Sequence, residues 1–209
     1  MGLLQIIILL TLLASLTVYI VSNASFALKT FPFFLAITFF AEIIGKYIGD
    51  NYGNNHLFYS IFTTLIFLYF GFFFYNLTQS KIVKTLIKYF SIVYPILVFA
   101  NIIFIQGVNT FHTYTYVIGS IFLIFLCLFY LKSVIANDNF INNYFNTEIF
   151  ICLGLLIFYT FDILFTASIN TITTKNNNVA YTFMMVMKYL NYAMYIIIAL
   201  GFLFRLRKK

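Results

Sequence analysis

No tryptophan occurs in this chain, and proline, cysteine and histidine occur only twice each. Each scarcity removes a reading. Cys127 and Cys152 sit inside apolar runs, where they serve as small hydrophobes, so neither a disulfide framework nor a thiolate metal site can be assembled from them. His56 and His112 fall at loop-to-span boundaries rather than as an H-x-x-x-H pair on one helical face, which argues against a zinc site as well. No cofactor motif remains, and none is expected. Five acids stand against twelve lysines and arginines, a formal charge of +7, yet the cations are thinly spread. A nucleic-acid face needs a basic stripe on a soluble element, and no polar stretch here is long enough to hold one. The longest cluster, Arg205, Arg207, Lys208 and Lys209, reads instead as an anchor against anionic headgroups.

What fills the chain is apolar: 63% of its 209 residues are hydrophobic, 8% are charged, and the mean hydropathy is +1.00. Such a composition calls for lipid as the main solvent. Seven apolar stretches run over about 3–22, 30–49, 56–77, 82–105, 114–135, 148–169 and 179–204. At 1.5 Å per residue, about twenty residues cross ~30 Å of hydrocarbon, and each stretch reaches that length. The connections are short and rich in Asn, Asp, Gly, Ser or Thr, as befits a chain turning in the interface. A membrane barrel would need short alternating strands, which continuous apolar runs deny. The sequence therefore predicts an all-α membrane protein: one polytopic domain over 1–209, a bundle of about seven transmembrane helices. The first stretch has no basic region before it and exceeds a signal-peptide core, so it is expected to stay as a span.

Orientation follows from the cations. Lys29, Lys81, Lys84, Lys88, Lys132, Arg205, Arg207, Lys208 and Lys209 fall on one side of the spans, and only Lys46 and Lys175 on the other. Lysine and arginine near span ends are retained in the cytoplasm, which places the amino terminus outside and the carboxyl terminus inside. The stretches "ITFFAEIIG" then "NNHLFYSIF" echo "LIFYTFDIL" then "NNNVAYTFM". This pattern suggests a 3+1+3 parallel repeat in which Glu42 answers Asp162, Asn54 and Asn55 answer Asn176 and Asn177, and Tyr59 answers Tyr181.

Charges at bilayer depth are expensive, so the few found there point to a site or to a structural pair. Glu42, Asp162 and Lys188 qualify. Asp162 and Lys188 fall at matching depth on the last two spans, where an ion pair between them would clamp the helices. Lys46, one turn after Glu42, can snorkel outward and leave that carboxyl facing the bundle. If Glu42 and Asp162 share a cavity, they suit proton coupling, cation binding or acid/base chemistry. Asn101 lies just beyond Pro95, which frees the carbonyl of Ser91 and favours a kink. Asn191 follows Lys188 by less than a turn. Amides in hydrocarbon need partners, so both belong with the pocket or with helix-to-helix hydrogen bonding.

The stretch "GLLIFYTFDILF", with its counterpart "LAITFFAEIIG", resembles the acid-bearing helices of lysoplasmalogenase-like membrane proteins. The resemblance implies hydrolysis of a lipid vinyl ether, with Glu42 and Asp162 as the catalytic acids, one protonating the enol ether while the other activates water. The chain departs from that family in having Glu at 42, no Lys-Pro pair in the preceding span, no His within the third span, and seven spans instead of eight. Its layout also resembles small bacterial seven-span proteins of AT-rich genomes, which implies the bacterial inner membrane. A lysine in the seventh span invites comparison with retinal proteins, but no tryptophan walls a retinal pocket and the third span holds no counter-ion.

The leading expectation is a membrane protein that binds or passes a small solute, ion or lipid through a polar pocket in its outer half. The pocket would be built from Glu42, Asn101, Asp162, Lys188 and Asn191, and the protein would act as sensor, transporter or pore subunit. The lipid hydrolase is one alternative and an oligomeric pore used in bacterial defence is another. The expected partners are the bilayer, a second copy of the chain, or a signalling protein, because the tail is too short to hold an output domain.

Overall fold

The computed structural model describes residues 2–20, 24–136, 146–175 and 177–206, with the side chains of 168–175 and 177–180 outside that description. Seven α-helices follow one another among the described residues. They are α1 (Leu3–Ser15), α2 (Phe26–Tyr52), α3 (His56–Leu77), α4 (Lys81–Ala100), α5 (Thr113–Ile135), α6 (Thr147–Lys175) and α7 (Asn177–Arg205). A 3-10 turn, Leu16–Tyr19, extends α1, and a π turn, Asn101–Ile105, extends α4. No strand occurs among the described residues.

Local sequence sets the boundaries. Ser25 and Ser80 stand just before α2 and α4, and their hydroxyls accept the N–H groups of Leu28 and Val83, each satisfying one of the donors a helix start leaves free. Helix α2 stops at Gly53, whose φ of 71° is the left-handed conformation that glycine adopts without penalty.

Six of the helices are long and apolar enough to cross a membrane, and Leu3–Tyr19 is shorter. The first apolar stretch therefore gives less regular helix than its length suggested. Its α-helix tightens where Ser15 and Thr17 bond back to the carbonyls of Leu12 and Ala14, both at 2.7 Å, a local pairing that competes with the helical ladder.

Helices α1, α2, α3, α5, α6 and α7 pack in that cyclic order, each against the next, and α7 returns to α1. Helix α4 lies outside this ring, against α3 and α5. Aromatic side chains fill the seam between α2 and α3, where Phe34 stacks on Tyr69 with ring centroids 4.1 Å apart. Phe31 reaches across to Phe202 of α7 at 5.4 Å. Hydroxyl groups tie the ring further, since Thr11 donates to the Tyr195 carbonyl and Thr147 to that of Gly201. Lipid-solvated helices lack a hydrophobic drive toward one another, so close packing and such hydrogen bonds must hold them.

Large apolar residues are also exposed outside the ring, among them Phe33, Phe40, Ile96, Phe99 and Phe104. Helices apolar on both inner and outer faces belong in a bilayer. Of the cations used to assign orientation, Arg207, Lys208 and Lys209 lie outside the described residues, as does the side chain of Lys175. Asn176 and the Asn177 side chain, invoked for the repeat, lie outside them as well.

Candidate functional site

A cavity of about 660 Å3 opens at the end of the bundle where the α2–α3 and α4–α5 connections lie. Its wall is built by the first turns of α3 and α5, the segment between α4 and α5, and the middle of α6. Asp162 faces it from α6, with Phe165 and Thr166 on the following turn. Tyr59 and Thr63 face it from α3, Gln106 and Phe111 from the connection, and Tyr116 from α5.

Asp162 is 7% exposed and lies about 20 Å along α6 from Lys175, close to the middle of the helix. The Tyr116 hydroxyl donates to its Oδ2. Among the described residues no cation comes within ion-pairing distance of Asp162. The clamp with Lys188 is therefore not formed. Lys188 lies on the exposed side of α7, with Nζ 5.9 Å from the centroid of the Tyr192 ring. Matching depth on adjacent helices was not enough, because the two side chains leave their helices on different faces.

Glu42 is half-buried on α2, and its Oε2 accepts a hydrogen bond from Tyr59 at 3.3 Å. This contact depends on Gly45. A Cβ at that position would lie 2.6 Å from the Tyr59 hydroxyl oxygen, so the missing side chain makes room for the phenol. Tyr59 thus stands between Glu42 and the cavity. Lys46 is exposed and forms no ion pair with Glu42. The two acids do not touch, but each is joined by one tyrosine to the wall of the same cavity. The tyrosines are not equivalent under the 3+1+3 pattern, since Tyr59 belongs to α3, Tyr116 to α5, and Tyr181, the expected counterpart of Tyr59, is 61% exposed.

Asn101 begins the π turn, in which the Gln106 N–H reaches the Asn101 carbonyl at 2.8 Å. Its side-chain Nδ2 donates to Gln106 Oε1 at 2.7 Å and to Thr115 Oγ1 at 3.3 Å, while its Oδ1 is buried without a partner. Thr115 in turn meets His112 Nδ1 at 2.7 Å, and His112 Nε2 meets Thr63 Oγ1 at 2.8 Å. The Thr63 hydroxyl has carbonyl acceptors at Tyr59 and Ser60, so it is free to accept from Nε2–H. A polar chain therefore runs from the π turn around the cavity rim to α3. His112 is fully buried and just ahead of α5, and burial pulls its pKa down from 6.5 to about 4 because the charged ring loses its hydration. Asn191 is partly buried on α7, with its Oδ1 enclosed and unpartnered, and it does not line the cavity.

Of the five residues expected to form the pocket, Asp162 lines it, while Glu42 and Asn101 touch it through one intermediary each. Lys188 and Asn191 lie elsewhere. Sequence reasoning missed Tyr59, Tyr116, Gln106, Thr63 and His112. The position of His112 at a span boundary was visible, and a polar ring entering an apolar helix was the signal available there. No three His, Cys, Asp or Glu residues among those described gather into a metal site.

Fold and cavity together define a helical bundle suited to a membrane, with an acid-bearing chamber between its helices. No family model, curated protein or solved structure matches the chain.

Proposed function

We propose that this is a multi-pass membrane protein that binds a small solute in the Asp162 cavity and acts as a transporter or sensor. One observation carries the reading. A buried carboxyl group stands at the wall of a chamber sized for a small molecule, with a single tyrosine as its partner among the described residues. Keeping such a group away from water is costly unless it does something or is paired. The cation asymmetry of the sequence supports a chamber in the outer half, open to solutes outside the cell. The 3+1+3 plan draws support from α4, whose place outside the ring leaves two consecutive three-helix arcs.

The test is a thermal-shift screen of purified protein against amines, amino acids, sugars and organic acids, followed by uptake of any hit into liposomes. A stabilising solute is expected, and its effect should vanish in Thr166→Trp, which fills the chamber from α6. If no solute shifts the transition, or the shift survives Thr166→Trp, the reading is wrong.

A second reading, the lipid hydrolase, is favoured by the way Tyr59 and Tyr116 join both acids to one cavity. Release of fatty aldehyde from lysoplasmalogen by the purified protein, lost on Asp162→Asn, would establish it in place of simple binding.

A further inference from the structure

The polar groups of the cavity wall are mostly committed to one another. The Thr63 hydroxyl donates to the Tyr59 carbonyl at 2.8 Å, and Gln106 Nε2 donates to Thr113 at 2.8 Å. Gln106 Oε1 is taken by Asn101 and by the Tyr114 N–H. Thr110 donates to the Gln106 carbonyl, Tyr59 to Glu42 and Tyr116 to Asp162. These donors are spent before any ligand arrives, which leaves the His56 ring and the Thr113 and Thr166 hydroxyls, and among the described residues neither lysine nor arginine lines the chamber. Such a wall has little with which to complement an anion.

On the acceptor side the position is reversed. Asp162 Oδ2 accepts from Tyr116, and Oδ1 takes no hydrogen bond among the described residues. Among the described residues no neighbouring cation balances the charge. Around it stand the rings of Tyr59, Phe111, Tyr116 and Phe165, and aromatic faces attract a positive charge brought within about 6 Å. A chamber of about 660 Å3 is far larger than a bare inorganic ion needs, and it falls in the range that holds organic ligands.

Building on the binding reading above, we infer that the solute is an organic cation, specifically a protonated amine. Its N–H group donates to Asp162 Oδ1, and its apolar part lies against the aromatic wall. A primary or secondary ammonium is favoured over a quaternary one, because the vacant carboxylate oxygen needs a hydrogen donor as well as a charge. Tyr116 is a positioning residue here: its hydroxyl holds Oδ2 and so turns Oδ1 toward the chamber.

Three probes with one carbon skeleton separate the outcomes: phenethylamine, phenethyl alcohol and phenylacetate, titrated calorimetrically into full-length protein near neutral pH. The amine is expected to bind about tenfold or more tightly than the alcohol, the preference of a paired over an unpaired buried charge. Phenylacetate is expected not to bind. Asp162→Asn should remove the preference and Asp162→Glu, which keeps the charge, should retain part of it. Should Asp162→Asn fail to fold, Thr166→Trp serves in its place, since it blocks the chamber without altering the carboxylate and must abolish amine binding. Equal binding of amine and alcohol, or tighter binding of phenylacetate, overturns the cation inference while leaving a solute pocket standing. Silence from all three probes also overturns it, and the solute screen then decides separately whether any pocket reading survives.

Discussion

His112 is held as a neutral ring in one tautomer. Thr63 has the Tyr59 carbonyl for its proton at 2.8 Å, whereas Thr115 lies 3.3 Å from the carbonyl of His112 and 2.7 Å from Nδ1, distances that favour Nε2 as the donor to Thr63 and Nδ1 as the acceptor from Thr115. The unfolded chain takes up a proton near pH 6.5, whereas the folded chain resists until about pH 4. Stability is therefore unaffected above pH 6.5, declines as pH falls through that window, and levels off below it, for a loss of about 3 kcal/mol. Melting of wild type and His112→Asn in detergent from neutral to acid pH checks this: the wild type should lose more, and parallel curves would count against it. The two tyrosines differ in a similar way. Tyr116→Phe strips a buried carboxyl of its only donor among the described residues and should destabilise by about 1–3 kcal/mol. Tyr59→Phe should cost less, because its bond to the half-buried Glu42 is 3.3 Å long. Chemical denaturation of both variants in the same detergent gives the order. At this scale the acids were legible in the sequence because a charge at bilayer depth is conspicuous. Their phenol partners were not, since any of 17 tyrosines could have served and only the ring order of the helices selects two.

Helices were easier to foresee than their irregularities. Continuous apolar runs located α3, α4 with its π turn, α5 and α7 to within about two residues, because hydrocarbon leaves the backbone no alternative to internal hydrogen bonding, while α2 and α6 run past the expected stretches 30–49 and 148–169 to Phe26–Tyr52 and Thr147–Lys175. Pro95 pointed to a disturbance in α4, yet the helix passes through it, and the departure comes at Asn101, where the side-chain amide bonds Gln106 and the backbone widens to a π turn. That outcome depends on Thr115 of a neighbouring helix, which local sequence does not contain. Close approach between helices was equally hidden. Gly201 of α7 faces Phe150 of α6, and a Cβ there would lie 2.5 Å from the Phe150 Cβ, an atom fixed to the backbone that cannot swing aside. Gly201→Ala should force α6 and α7 apart and destabilise by about 1–3 kcal/mol, as overpacking does. Gly2→Ala, where a Cβ meets nothing within 4 Å, is the control, and its melting temperature should stay at the wild-type value.

For the molecule as a whole, the open question of mechanism turns on which way the chamber faces, and α1 decides it. The 13 residues of α1 and the four of its 3-10 extension reach about 28 Å at 1.5 and 2.0 Å per residue, close to the ~30 Å of hydrocarbon. Packed between α2 and α7 with Ile8, Thr11 and Ser15 fully buried, α1 completes the ring rather than lying on its surface. A spanning α1 makes the count odd, puts Gly2 on the same side as the Asp162 chamber, and sends Gln79 to the cation-rich side. Single cysteines test this without removing the native ones, because Cys127 and Cys152 are both 0% exposed and should give no background. In intact cells an impermeant maleimide should label Gly2→Cys and Asn54→Cys but leave Gln79→Cys untouched until the membrane is opened. Labelling of Asn54→Cys alone would mean that α1 does not cross, leaving six spans and both termini inside while the chamber still faces outward. Labelling of Gln79→Cys alone would reverse the bundle, and the Asp162 chamber would then draw its solute from the cytoplasm.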